Sequence, residues 1–278
     1  MKSELVLGAV AYDPKVVTIW GGFRAWFRER GVDFDFVLYS QYERQVEALL
    51  DGAIDLAWNS PLAWVRAQRL ARSRGVDVRA VAMRDTDRDL TSVIVVRADS
   101  DLHTLDDLRD RTVATGAIDS PQATLLPLAV LAGAGVPARI RRYDVGVGLH
   151  GDHIGGERDA ARALRSGEAD AACLIDANLL LFAREGVLPS GSVRVLGQTA
   201  PYDHCNLTAG PGVDATAFIE LLLSMSYGDD GARPLLDLEG LRQWLPGRTD
   251  RYAALDAAVT ATGFYRQDGG LGAAGYRP

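Results

Sequence analysis

Apolar and polar positions divide this chain into two alternating blocks and a helical tail. Between residue 4 and about residue 84, short β-rich apolar runs alternate with stretches in which apolar residues recur every three or four positions. That alternation is the signature of βαβ units and a mainly parallel sheet. Leu5–Val10, Phe34–Tyr39, Leu56–Trp58 and Val78–Met83 predict strands, and the helical period predicts helices near Val16–Arg30, Tyr42–Leu50 and Pro61–Arg72. Ile19, Phe23, Trp26 and Phe27 share one face of the first helix, so this aromatic stripe is expected to be core. Trp20, Trp64 and Trp244 suggest packing and nothing further.

A second block opens at Ser92-Val93-Ile94-Val95-Val96, with strands expected near Val113–Thr115, Ile140–Tyr143 and Ala171–Ile175 and helices near Leu105–Arg109, Pro121–Ala132 and Ala160–Arg165. The two blocks share an echo: Ala48 to Ala57 and Ala163 to Ala172 both read A-L-x-x-G-x-x-D-x-A. Each copy describes a helix ending at a C-cap glycine, a short turn with an aspartate, and a buried strand. Two lobes of one α/β design are therefore expected, residues 1–90 plus 200–278 forming lobe one and 91–199 an inserted lobe two. After Val193–Gly197, Pro201 and Gly210-Pro211-Gly212 lead into helices over Asp214–Ser226, Leu235–Trp244 and Tyr252–Thr262. This tail has few strands and is expected to pack back on lobe one, its Gly-rich last dozen residues frayed.

The length of 278 residues suits two lobes of roughly 100–150 residues each. A hydrophobic content of 47% without low-complexity runs belongs to a folded globular chain. The net charge of −7, with no cluster of Lys and Arg, argues against a nucleic-acid face, so an anionic ligand would need a local site. No apolar run reaches the roughly 18–20 residues of a membrane span, so no membrane insertion is expected. Met1-Lys2-Ser3-Glu4 runs straight into Leu5–Val10, too short for a signal peptide's apolar region. The sequence as written therefore predicts a cytoplasmic protein; a mature chain freed of a leader would be periplasmic or extracellular. Cys173 and Cys205 do not make a disulfide framework.

Val46–Trp58, Ser92–Thr115 with Leu105-Asp106-Asp107-Leu108-Arg109, the turn Asp119-Ser120-Pro121-Gln122-Ala123-Thr124, Ala161–Cys173 and the helical tail together resemble the phosphonate/phosphite/phosphate-type solute-binding proteins of ABC importers, a branch of the type 2 periplasmic-binding fold. The resemblance implies a two-lobed α/β fold with two hinge crossovers, here near Leu90–Ser92 and Gly197–Ala200, hinge closure on a ligand, and a transporter permease as partner if the protein is exported. It also implies an oxyanion held by a Ser/Thr-rich turn at a helix N-terminus. Here Ser120 suits the N-cap and Pro121 the first helical position, leaving amides beyond them for an anion. The resemblance implies a small anionic ligand; Pro121-Gln122-Ala123 stands where the family usually has consecutive hydroxyl residues, a departure that leaves the choice open among phosphonate-, phosphate- and carboxylate-like anions.

In open α/β sheets, ligands lie beyond the carboxyl ends of strands. That rule selects Tyr12, Tyr39, Asn59 and Ser60 in lobe one and the Cys173–Asp176 stretch in lobe two, with Asp176 a ligand-binding candidate. Ser120, Gln122 and Thr124 are candidates from the turn. His103 reads as a surface residue, whereas His150, His153 and His204 fall in segments expected at the cleft, with Tyr202 and Cys205 beside His204. These histidines can hydrogen-bond an anion, act as acid or base, or simply be solvated. With Cys205 they also offer the donor types of a zinc-like divalent metal, although H-x-x-H alone is a weak signal. Cys173, in an Ala-rich strand, is expected to be core. No cofactor is fixed by the sequence.

Binding without chemistry is the first functional reading. The alternative is a cytoplasmic enzyme on the same scaffold, of lyase, decarboxylase or biosynthetic type, with His150, His153, His204 and Cys205 as catalytic or metal-binding candidates. A ligand-sensing regulator is a third reading, without an appended signalling segment.

Overall fold

The computed structural model describes residues 4–144 and 153–273. The first block folds as β1 (Leu5–Val10), α1 (Lys15–Arg28), β2 (Phe34–Tyr39), α2 (Tyr42–Leu50), β3 (Leu56–Asn59), α3 (Pro61–Arg74) and β4 (Arg79–Arg84). The second comprises β5 (Ser92–Arg97), a 3-10 turn at Leu105–Leu108, β6 (Thr112–Thr115), a π-turn at Pro121–Leu125 continuing into α4 (Leu126–Gly133), β7 (Arg139–Arg142), α5 (His153–Ser166), β8 (Ala171–Ile175), α6 (Ala177–Arg184) and β9 (Val193–Gln198). The tail adds β10 (Asn206–Ala209), α7 (Thr216–Leu223), α8 (Arg233–Glu239), β11 (Trp244–Pro246) and α9 (Ala253–Thr262).

Two mixed sheets result, giving two lobes. One has the order β11-β4-β10-β3-β1-β2, the other β7-β6-β8-β5-β9. Most strands in each run one way; β10 is antiparallel to both β3 and β4, and β5 to both β8 and β9. The first sheet thus draws its strands from both ends of the chain, the second from the middle. Where the chain crosses between them, Leu90 and Tyr202 exchange backbone hydrogen bonds of 2.8 Å, and Asp203 holds Arg248 at 2.6 and 2.7 Å.

The sequence echo marks one device used twice. Gly52 and Gly167 take positive φ (72° and 80°), which ends the preceding helix without a Cβ clash. The Asp55 carboxylate then accepts the Val6 amide on β1 at 2.9 Å, and Asp170 accepts the Thr112 amide on β6 at 2.8 Å. Each aspartate satisfies the backbone of a neighbouring strand and pins its register.

The stripe Ile19, Phe23, Trp26 and Phe27 is buried as expected, with Phe27 stacked on Phe218 of α7 at 4.2 Å between ring centroids. The tail differs from expectation in three ways. Trp244 starts a strand rather than ending a helix, because Gly240 in the left-handed region (φ 80°) stops α8. A strand, β10, sits in the middle of the first sheet. The tail also packs on both lobes: Leu255, Ala258, Val259, Phe264 and Tyr265 share one buried cluster with Leu62 and Val65 of α3 and with Leu125 and Leu126 of the second lobe. Arg69, 2% exposed, fastens it by donating to the Asp256 carboxylate at 2.7 Å and the Tyr265 carbonyl at 2.7 Å.

Candidate functional site

The segments that leave β1, β2, β3, β4 and β6 surround a cavity of about 520 Å³ between the lobes. Five helix beginnings converge on it. The first lobe presents Pro14 and Lys15 at the start of α1, Tyr42 at the start of α2, and Ser60 to Ala63 at the start of α3. The second lobe presents Pro121 and Gln122 from the π-turn and His153 and Ile154 from the described start of α5. First-turn amides have no helical acceptor and carry the positive end of the helix dipole. Ser60 Oγ accepts the Ala63 amide at 3.2 Å and Ser120 Oγ the Ala123 amide at 3.1 Å, while a proline follows each serine. The amides of Leu62 and Gln122 are thereby left for a guest. Side-chain charge on the walls is balanced, Lys15 and Arg84 against Asp13 and Asp119, so the helix ends supply the bias towards an anion.

On the first-lobe wall, Arg84 lies over the Trp58 ring, 5.2 Å from its centroid, and is chelated by Asp87 through Nε (2.5 Å) and Nη2 (3.0 Å). Its Nη1 donates to Glu239 Oε1 at 3.2 Å. Burial would raise the Asp87 carboxyl, but the adjacent Arg84 guanidinium and the His204 ring together outweigh it and hold the group at about 2. Glu239, buried beside the same cation but also facing Asp87, is pushed up to about 7. His204 and Cys205 adjoin this pair: His204 Nδ1 is 3.1 Å from Cys205 Sγ and 3.5 Å from Asp87 Oδ1. Burial, then the Asp87 charge, pushes the Cys205 thiol up, so it is no activated thiolate in this state.

A chain of buried polar groups supports this wall from behind. Gln45 donates to Asn59 Oδ1 (2.9 Å), Asn59 to Thr208 Oγ1 (2.8 Å), Thr208 to Asn206 Oδ1 (2.7 Å), Asn206 to Tyr252 (3.0 Å), and the Tyr252 hydroxyl to the His204 carbonyl (2.8 Å). Each donor in this series finds an acceptor in the next residue of the series, which fixes the backbone that carries His204 and Cys205.

On the opposite wall, His153 Nε2 lies 3.4 Å from Asp119 Oδ1. Gln122 leans on Glu157, a fully buried carboxyl that accepts from the Ile175 amide (2.9 Å) and Asn178 (2.8 Å). Desolvation dominates these bonds and raises Glu157 from 4.5 to about 7.

Of the residues selected from sequence, Tyr12, Ser60, Gln122, His153, His204 and Cys205 line the cavity. His150 lies outside the described residues. Ser120 and Thr124 lie behind the wall, Ser120 as N-cap and Thr124 donating to the Ala117 carbonyl at 2.7 Å. Asn59 belongs to the polar chain, Asp176 accepts from the Thr91 hydroxyl at 2.6 Å, and Tyr202 meets Ser92 at the crossover at 2.8 Å. Tyr39 packs against the buried cluster of Leu49, Ile54 and Ala57 rather than lining the cavity. Cys173 is wholly buried, and burial takes its thiol to about 12. Arg84, Asp87 and Glu239 escape the sequence reading. Arg84 had a signal, a cation at the carboxyl end of a strand, but Asp87 sits in the uniformly polar run Arg84-Asp85-Thr86-Asp87-Arg88-Asp89 and had none.

A family model described as the periplasmic phosphonate substrate-binding protein of ABC transporters matches residues 9–252. Among solved structures, the chain is similar to PhnD1 of Prochlorococcus marinus in complex with methylphosphonate, at 16% identity and TM-score 0.65, covering 93% of this chain and 98% of that one. A Xanthomonas citri protein bound to chloride gives 22% identity and TM-score 0.68, with coverage of 94% and 98%. The periplasmic aliphatic sulphonate binding protein of Escherichia coli gives 20% identity and TM-score 0.55, with coverage of 94% and 87%. At these identities the structures speak for the fold.

Proposed function

The chain belongs to the family of periplasmic phosphonate substrate-binding proteins of ABC transporters, and from that premise we propose that it binds a small tetrahedral oxyanion, a phosphonate, phosphate or sulfonate, between its lobes and carries it to a permease in the periplasm. The observation that carries this reading is the convergence of five helix beginnings, from both lobes, on one cavity. An oxyanion there receives amide hydrogens from Leu62 on one side and Gln122 on the other, which ties the lobes together and makes closure depend on the ligand. Lys15 neutralises residual charge. Asp119 and Asp13 supply acceptors for any donor group the ligand carries. The family's periplasmic setting favours an exported protein over the cytoplasmic one expected from the sequence as written, and no helix among the described residues is long and apolar enough to cross a membrane.

Titration calorimetry of the untagged protein against methylphosphonate, inorganic phosphate and an alkanesulfonate tests the reading. One-to-one binding of at least one of them, with a Kd in the micromolar range or tighter, is the expected result. Absence of saturable binding for all three would remove the oxyanion from the account.

A further inference from the structure

We propose that Asp87, His204 and Cys205 form a binding site for a borderline-soft divalent cation such as zinc, on the first-lobe wall and open to the cavity. One ligand atom from each residue lies within 4.8 Å of the others. Tetrahedral zinc bonds of about 2.3 Å to sulfur and 2.0–2.1 Å to nitrogen and oxygen require ligand-to-ligand edges of roughly 3.3–3.6 Å. The observed 3.1 Å (His204 Nδ1 to Cys205 Sγ) and 3.5 Å (His204 Nδ1 to Asp87 Oδ1) are within a few tenths of those edges. A thiol, an imidazole and a carboxylate together make a donor set for zinc rather than for magnesium or calcium.

The site is preorganised by its backbone. The His204 amide donates to the Asp87 carbonyl at 2.8 Å and the Cys205 amide to Asp87 Oδ1 at 3.2 Å, so the three residues are held together without any ion. Formal charge also closes. With Glu239 ionised, Arg84, Asp87 and Glu239 sum to −1, and a divalent cation with the Cys205 thiolate adds +1, so that form of the loaded cluster is neutral in its buried setting. Metal binding expels the thiol proton to solvent, and Asp87 keeps one oxygen on Arg84 while turning the other to the ion. His204 and Cys205 both line the cavity, so the fourth coordination position faces the space where a guest sits. This inference concerns the cation alone and stands whether or not an oxyanion is the guest.

The test uses cobalt(II) alone, titrated into the reduced, untagged full chain. One equivalent is expected to give the near-ultraviolet thiolate-to-cobalt charge-transfer band and the visible bands of a four-coordinate site, both lost when zinc is added. Cys205→Ser is expected to abolish the charge-transfer band, and His204→Ala to weaken cobalt binding at least tenfold. A wild-type titration without one-to-one saturation overturns the proposal whatever the variants do, and so does a charge-transfer band that survives Cys205→Ser.

Discussion

Ser60 and Ser120 perform the same task on opposite walls of the cavity: each caps a helix through the amide three residues on, at 3.2 and 3.1 Å, and each precedes a proline. They are not equivalents in the internal repeat, since Ser60 follows β3 whereas Ser120 follows β6, a counterpart of β1 by the Asp55 and Asp170 pairings. The same local chemistry has therefore been used at two different strand ends to aim helix dipoles at one space.

Replacing either serine by alanine is expected to destabilise the protein by about 1 kcal/mol, the usual effect of losing an N-cap. The same change frees the Ala63 or Ala123 amide and loosens the first turn, so oxyanion affinity is expected to fall about tenfold. Thermal denaturation and calorimetry on the same samples check both effects.

Glu157 predicts a pH dependence. Its carboxyl is raised from 4.5 to about 7 in the folded state, so between these values the native protein holds a proton that the unfolded chain has released. The contribution to stability is complete below about 4.5 and is lost as pH rises through about 7, up to about 3 kcal/mol. Glu239 has a shift in the same direction, so the comparison with Glu157→Gln isolates one group. The variant is expected to lose stability less steeply than the wild type between these pH values, measured by urea denaturation; parallel curves would contradict the assignment.

Arg69 predicts a loss focused on the tail. Its guanidinium is buried and donates to Asp256, to Thr260 and to the Tyr265 carbonyl, joining α3 to α9. Arg69→Met removes the cation and leaves those acceptors without it, with an expected cost of about 3 kcal/mol. Limited proteolysis is expected to clip the variant first after residue 250, because this side chain supplies the buried hydrogen bonds that fasten α9 and Tyr265 to α3.

Much of the fold was legible because apolar periodicity and burial coincide: β1, β2, α2 and β8 have the bounds that the pattern predicts. The echo was readable for the same reason, its glycine and aspartate having backbone tasks that few other residues perform. β10 was not readable. Its Asn206 and Thr208 are buried but polar, satisfied by Asn59 and Tyr252 rather than by water, so hydropathy shows a loop where the sheet has a central strand. That same chain explains Asn59: the strand-end rule selected it, yet its amide is engaged in the core. The site followed the strand-end rule where a helix begins, at Tyr12 and Ser60, and followed the turn at Gln122. It was missed where a charged pair closes over itself, as Arg84 and Asp87 do.

The central claim is that one oxyanion bridges the helix beginnings of both lobes, and the crystal structure of the complex with the tightest-binding member of the calorimetric panel tests it most directly. The account predicts ligand oxygens within hydrogen-bond distance of the Leu62 and Gln122 amides at once. A ligand bound to one lobe only, or outside the cavity, would contradict it.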